Sequence, residues 1–464
     1  MGRQLSQLAV TAVLARLLSP NDYGLLAMAS VLVAFAAIFV DLGSSSALIQ
    51  KEHIDNRHLS SAFWMNIAAG VVLMLLMMAA APLICRFFRR PELLWVVVAV
   101  SSNLALGSLA AVQQTILARE MNFRGLALRD MLSIVTGGCV GISAALFGCK
   151  VWSLVLQSLA SSLVNVVVMW RLSSWRPEAK ISWAAIREIM PFGSHVTGFN
   201  IVNYFARNLD QLLIGRLIGS QALGCYNLAY KLMLYPLQNV SSVVGQVMFP
   251  AFSKLQGHRI KMREVYLRMT RAISLVTFPL MTVVFVLSSQ LVLTVFGARW
   301  APAIPLVKVL CLCGLAQSIL TTGGNVMLSL GRSDLQLKFG LVGAIWACAS
   351  IVVGFRWGLL GVCSTYTIGQ IFWTVFVQVA IINRLLGIST WRMAANLFPS
   401  ALVGLVVMAG VQLAVLLLHF DVGWSGLTAY SGVAIVGFVV CLLAVGEISV
   451  RAGTVQLRVL RGIE

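Results

Sequence analysis

Two stretches of an otherwise apolar chain carry polar side chains at helical spacing. The first holds Asn200, Asn203, Tyr204, Arg207, Asn208 and Gln211, at i, i+3, i+4, i+7, i+8 and i+11. That spacing lines one face of a helix. The second holds Asn227, Tyr230, Lys231, Tyr235 and Gln238 along one side of the next helix. With residues 217–221 as the turn between them, Arg207 and Lys231 each stand about 15 Å from it, at 1.5 Å per residue. An ionisable group at that depth in a membrane costs several kcal/mol unless it is paired or wetted. A guanidinium and an ammonium flanked by amides and phenols have the chemistry to receive an anionic headgroup. Asp210, three residues after Arg207, offers the competing use, an ion pair that only locks helix packing. Lys231 has no local carboxylate, which favours the first use. Asp41 is the other deep acid, read as a counter-ion, a proton-coupling group or a packing residue.

These residues need long helices to hold them, and the composition supplies little else. Of 464 residues, 59% are hydrophobic and 11% charged, with a mean hydropathy of +0.91. Soluble domains run about a quarter charged, and disordered chains need still fewer apolar residues. A bilayer core of about 30 Å takes roughly 20 residues of helix. Apolar runs of that kind fall near 23–49, 60–85, 93–118, 130–147, 151–170, 188–217, 221–250, 267–296, 303–330, 335–355, 358–383, 394–419 and 427–448. A shorter run at 4–18 reads as a clipped first helix without a signal-peptide cleavage pattern. An outer-membrane barrel would instead show short alternating segments of about 10 residues. The expectation is an all-α, polytopic integral membrane protein of about 14 transmembrane helices.

The net charge of +19 suggests nucleic acid until the charges are placed. With the N-terminus inside, most of the 34 basic residues map to cytoplasmic loops, densest in the run Lys254–Arg271. This is the positive-inside pattern, with both termini cytoplasmic, and nucleic acid is not needed as a partner. Arg86, Arg89 and Arg90 break the pattern at the outer side. The run 254–271 reads as a lateral helix on anionic lipid. Trp95, Trp152, Trp170, Trp175, Trp183, Trp300, Trp357, Trp391 and Trp424 fall at helix ends, as in an interfacial belt.

Catalytic chemistry finds no support. The 9 Cys lie in or near apolar segments, and no His/Cys/carboxylate cluster has metal-ligand spacing. There is no Walker A sequence to consume ATP, and no cofactor is called for. The outer loops are too short for a membrane polymerase or ligase.

The two halves match at an offset of 200. Ala15-Arg16-Leu17-Leu18 aligns with Gly215-Arg216-Leu217-Ile218, Gly24 with Gly224, and Ala29 with Ala229. Parallel repeats of six helices are a transporter plan. The expected organisation is a six-helix lobe over 1–185, a second over 186–390, and two further helices with a cytoplasmic tail over 391–464.

Several motifs, in order, carry a resemblance. They are Val13-Leu-Ala-Arg-Leu-Leu-Ser-Pro-Asn-Asp-Tyr-Gly24, Asp41-Leu-Gly-Ser-Ser-Ser-Ala-Leu-Ile-Gln50, and Leu209-Asp-Gln-Leu-Leu-Ile-Gly-Arg-Leu-Ile-Gly219 running into Gly224-Cys-Tyr-Asn-Leu-Ala-Tyr-Lys231. Phe249-Pro-Ala-Phe-Ser-Lys-Leu-Gln256 and Phe296-Gly-Ala-Arg-Trp300 complete the set. The chain resembles the polysaccharide transport family of oligosaccharide flippases, within the multidrug/oligosaccharidyl-lipid/polysaccharide exporter superfamily. The resemblance implies a two-lobed bundle that alternates between inward- and outward-open states in the bacterial inner membrane. It implies a polyprenyl-pyrophosphate-linked oligosaccharide as substrate, with a polysaccharide polymerase and a chain-length regulator as partners. On that reading Arg207, Lys231, Asn200, Asn203, Tyr204, Gln211, Asn227 and Tyr230 bind substrate, and Asp210 and Asp41 serve as coupling or ion-pair groups. The alternatives are a drug or metabolite/cation antiporter of the same superfamily and, further off, a membrane polymerase or ligase.

Overall fold

A computed structural model describes residues 2–51, 53–254, 258–330, 332–418, 422–444, 448–451 and 454–457. Its first part runs α1 (Gly2–Leu17), α2 (Pro20–Asp41), α3 (Ser44–Gln50), α4 (Asn56–Phe88), α5 (Leu93–Arg119), α6 (Phe123–Leu146), α7 (Val151–Leu172) and α8 (Trp183–Leu217). The second part runs α9 (Ser220–Lys254), α10 (Arg259–Val286), α11 (Ser288–Leu291), α12 (Ile304–Leu320), α13 (Gly323–Ser329), α14 (Ser333–Gly354), α15 (Gly358–Val377), α16 (Asn383–Leu386), α17 (Thr390–Leu418) and α18 (Trp424–Ala444). Among the described residues the strands are β1 (Ile448–Arg451) and β2 (Thr454–Leu457), one antiparallel ribbon.

Ten helical segments among the described residues are long and apolar enough to cross a membrane. The sequence expectation of about fourteen parts from this figure at identifiable places. The span 334–386 qualifies as one segment although Phe355–Trp357 interrupts it, and α1 offers only the short apolar stretch Ser6–Leu17. Helices α8 and α9 are 35 residues each, yet their polar stripes keep them out of the ten.

The chain forms two compact units, 1–224 and 225–464. In the first, α4 packs on α5, α6 on α7, α5 on α7 and α2, and α8 on α2, α3 and α4. Pro20 opens α2 behind a Ser19 cap: the Asp22 amide donates to Ser19 Oγ at 3.3 Å, and the Ser19 amide to Asp22 Oδ2 at 2.9 Å. This reciprocal pairing fixes where α2 starts. Leu42 and Gly43, both left-handed at φ 46° and 71°, end it and turn the chain into α3. In the second unit α10 packs on α12 and α17, α14 and α12 on α15, and α17 on α18. Its interior is tied by polar pairs: the Tyr266 hydroxyl donates to Gln378 Oε1 at 2.9 Å, and Ser274 meets Ser400 at 2.7 Å.

Two sequence expectations are corrected. Residues 259–271 of the basic run are the first turns of α10 rather than a separate lateral helix. A 28-residue helix is about 42 Å long, so about two turns of it stand beyond a 30 Å hydrocarbon core. Trp300 is fully buried beside Phe296, at 6.5 Å between ring centroids, rather than set in an interfacial belt. Between α7 and α8, residues 173–182 are docked chain. The Glu178 amide donates to Ser60 Oγ at 3.1 Å, the Ser182 amide to Ser61 Oγ at 2.8 Å, and Trp64 Nε1 to the Glu178 carbonyl at 2.8 Å.

Candidate functional site

Helix α8 presents its polar stripe in two ways. Asn200, Asn203 and Arg207 are exposed, and Arg207 makes no hydrogen bond or ion pair with any described residue. The other members are engaged. The Tyr204 hydroxyl donates to the Val31 carbonyl of α2, and its ring lies 5.7 Å from Phe35. Asn208 Nδ2 donates to the Tyr204 carbonyl at 2.9 Å, and Gln211 Nε2 donates to Asn208 Oδ1 at 3.3 Å. Asp210 is buried at 7% exposure, and its Oδ1 accepts the Gln211 amide at 2.8 Å. The Arg207–Asp210 pair that the spacing allows is absent among the described residues. The cation is exposed, and the acid three residues on is buried.

Helix α9 repeats the pattern. Cys225, Tyr226, Leu228, Ala229, Met233 and Leu237 form its buried face, whereas Lys231 and Gln238 are exposed and Asn227 is half-buried. Tyr230 stacks on Tyr226, with centroids 5.6 Å apart and planes at 24°. Lys231 makes no hydrogen bond or ion pair with any described residue. Each helix therefore holds one exposed cation, well inside its length, with no carboxylate on it. Such groups lower their energy by taking an anion or water.

Asp41 is occupied. Its Oδ1 accepts from Ser44 Oγ at 2.9 Å, Ser45 Oγ at 2.7 Å and the Ser45 amide at 3.1 Å, so the carboxylate caps the first turn of α3.

One cluster has no counterpart in the sequence reading. The Asp55 amide donates to His58 Nδ1 at 3.2 Å, which puts the ring proton on Nε2. Nε2 then donates to Glu188 Oε2 at 3.0 Å, and Lys51 pairs with the same carboxylate. Arg119 of α5 donates to the Leu48 carbonyl at 2.8 Å and to the Lys51 carbonyl, closing the end of α3. The readable signal was His58 three residues after Asp55, a capping-box spacing with an unusual third member. Glu188 stands in the opening turns of α8, a helix about 52 Å long and so longer than a hydrocarbon core.

Hydrogen bonds from Lys51, then from His58, hold the Glu188 carboxyl down at about 2. A depressed carboxylate pKa contributes stability that is complete above the unfolded value of about 4.3 and fades as pH falls toward the folded value. Glu188→Gln is therefore expected to lower the thermal midpoint by about 2 °C at pH 7, the modest size normal for an exposed pair. The gap from wild type should close between about pH 4.3 and 2. A gap that is constant over that range would assign the effect to packing instead.

The comparisons with known proteins agree with this architecture. The chain is similar to the teichuronic acid biosynthesis protein TuaB of Bacillus subtilis (strain 168), at 28% identity over 363 residues, covering 78% of this chain and 73% of that one. It is similar to the succinoglycan biosynthesis transport protein ExoT of Rhizobium meliloti (strain 1021), at 27% identity over 345 residues, covering 74% and 69%. Its fold is that of the lipid II flippase MurJ in an inward closed conformation, with a TM-score of 0.76 at 12% identity over 96% of this chain and 97% of that one. Residues 13–305 match a family described as polysaccharide biosynthesis protein, and that stretch holds both polar stripes; the chain belongs to this family.

Proposed function

We propose that this multi-pass membrane protein is a flippase. It moves polyprenyl-pyrophosphate-linked oligosaccharide repeat units across the bacterial inner membrane by alternating access, for assembly of surface polysaccharide. The observation that carries the reading is that Arg207 and Lys231, on the polar faces of α8 and α9, are exposed and have no partner among the described residues. A pyrophosphate needs cationic donors in a wetted setting, and Arg and Lys supply them, the first as a planar fork and the second as a point charge. The exposed amides of Asn200 and Asn203 suit sugar hydroxyls. Membership of a polysaccharide biosynthesis family and the fold shared with a lipid II flippase support the same substrate class.

An antiporter for cationic drugs would call for an exposed acid on these faces. Asp41 caps α3 and Asp210 is buried, so the exposed charge is basic. The bias of basic residues supports a cytoplasmic position for both termini. A polymerase and a chain-length regulator are the partners that would consume the flipped repeat unit.

The experiment is reconstitution. Proteoliposomes carrying a polyprenyl-pyrophosphate-linked oligosaccharide on one leaflet are exposed to a membrane-impermeant glycosidase. Wild-type protein should bring the sugar within the enzyme's reach. Cleavage no greater than in protein-free vesicles, with the protein shown to be folded, would remove the flippase reading.

A further inference from the structure

At one corner of the first unit, the turn between α4 and α5 meets the turn between α8 and α9. Four arginines gather there. Arg86 lies in the last turn of α4, Arg89 closes that helix at φ 56°, and Arg90 follows. Arg216 lies in the last turn of α8, and its Cζ stands 5.4 Å from the centroid of the Phe87 ring. Nη2 of Arg90 lies 3.5 Å from where a Cβ on Gly219 would sit, so its guanidinium rests on the α8–α9 turn. None of the four forms an ion pair with a described carboxylate, and neighbouring Glu92 pairs with none of them.

Helix dipoles favour cations at these C-terminal ends but account for only part of the arrangement. Nη1 of Arg216 is buried and has no hydrogen-bond acceptor among the described residues. A buried guanidinium N–H without an acceptor is costly, and like charges gathered at one corner add to the cost. One anion between the turns relieves both. The flanks indicate its kind: Leu83, Phe87, Trp95 and Leu217 are all exposed around the arginines. Apolar side chains below and guanidiniums above match a phosphate that carries acyl chains. Arg86, Arg89 and Arg90 are also the arginines that depart from the positive-inside pattern, and a bound anion gives them a reason to be there.

We propose that Arg90 and Arg216, with Arg86 beside them, form a binding site for the headgroup phosphate of an anionic phospholipid. The lipid sits at the end of the first unit opposite Lys51 and Glu188, its chains along Leu83, Phe87 and Leu217. It bridges the α4–α5 and α8–α9 turns. The site is separate from the stripes of Arg207 and Lys231 and does not depend on the substrate assigned to them.

The test is thermal unfolding of the full-length protein in detergent, with phosphatidylglycerol, phosphatidylcholine or inorganic pyrophosphate added. Phosphatidylglycerol should raise the wild-type midpoint by about 4 °C more than phosphatidylcholine, as expected for ligand near a hundredfold excess over its dissociation constant. The double variant Arg90→Gln/Arg216→Gln should lose at least half of that increment, while Arg356→Gln, in the second unit, should retain it. Native mass spectrometry of the wild-type protein supplies a second readout, a retained phosphatidylglycerol, should the double variant not fold. An equal increment in the double variant would put the lipid elsewhere. Equal effects of the two phospholipids would remove charge recognition, and an equal increment from pyrophosphate that the double variant also loses would make the ligand a soluble anion rather than a lipid.

Discussion

Replacing Gly24 or Gly224 with leucine should leave little folded protein. A Cβ on Gly24 would lie 1.7 Å from the Ser220 carbonyl oxygen, and a Cβ on Gly224 would lie 1.9 Å from that of Pro20. Pro20 and Ser220 are related by the offset of 200, as are Gly24 and Gly224, and each glycine meets the member of the other pair on the opposite helix. The start of α2 and the start of α9 thus meet reciprocally, in the manner of a two-fold contact, with backbone against backbone. Ser220 Oγ also donates to Asn21 Oδ1 across the same contact. Carbonyls held in helices cannot step aside as a flexible side chain can. Overpacking at such a site costs about 3 kcal/mol or more, roughly a hundredfold in the ratio of folded to unfolded chain. The measurement is the thermal midpoint and the yield of monodisperse protein from membranes. Gly107→Ala is the control, because a Cβ there meets nothing within 4 Å and alanine favours helix. A wild-type midpoint for Gly24→Leu would mean that the two helix starts are not held together.

The reciprocal glycines show how far the sequence could be read. Self-similarity at an offset of 200 marked Gly24 and Gly224 as equivalent, but not as touching residues. Periodicity found the polar faces of α8 and α9 because spacing at i, i+3 and i+4 survives in any packing. It could not tell which members of a face are free. Tyr204 and Asn203 are adjacent in the pattern, yet the first gives its hydroxyl to Val31 and the second is exposed. That difference depends on where α2 runs. Asp41 read as a deep acid because hydropathy treats 23–49 as one apolar run. The left-handed pair Leu42–Gly43 breaks the run and turns the acid into a cap for α3. Ser60 and Ser61 show the same blindness. Within an apolar helix they count as neutral small residues, whereas their hydroxyls accept backbone amides from the linker 173–182. Hydropathy records how a side chain partitions, while these roles depend on which orphan amide it meets.

Arg207→Ala and Lys231→Ala should each cut export of surface polysaccharide by about tenfold or more while leaving the amount of folded protein unchanged. A charge-assisted hydrogen bond to phosphate contributes about 1.5–3 kcal/mol, which is roughly 10- to 150-fold in affinity. Neither side chain holds a partner within the described structure, so removing it opens no cavity and strands no acid. That separates these positions from Tyr204, where Phe would lose the hydroxyl bond to Val31 and cost about 1 kcal/mol of stability. Arg207→Ala should therefore accumulate lipid-linked repeat units inside the cell at a wild-type midpoint. Tyr204→Phe should lower the midpoint, with any loss of export following the loss of protein. Arg207→Lys keeps the charge but not the planar fork, so it should recover part of the export, less than wild type and more than alanine. Export at wild-type levels in both single variants would leave the deep cations without a role in recognising the substrate.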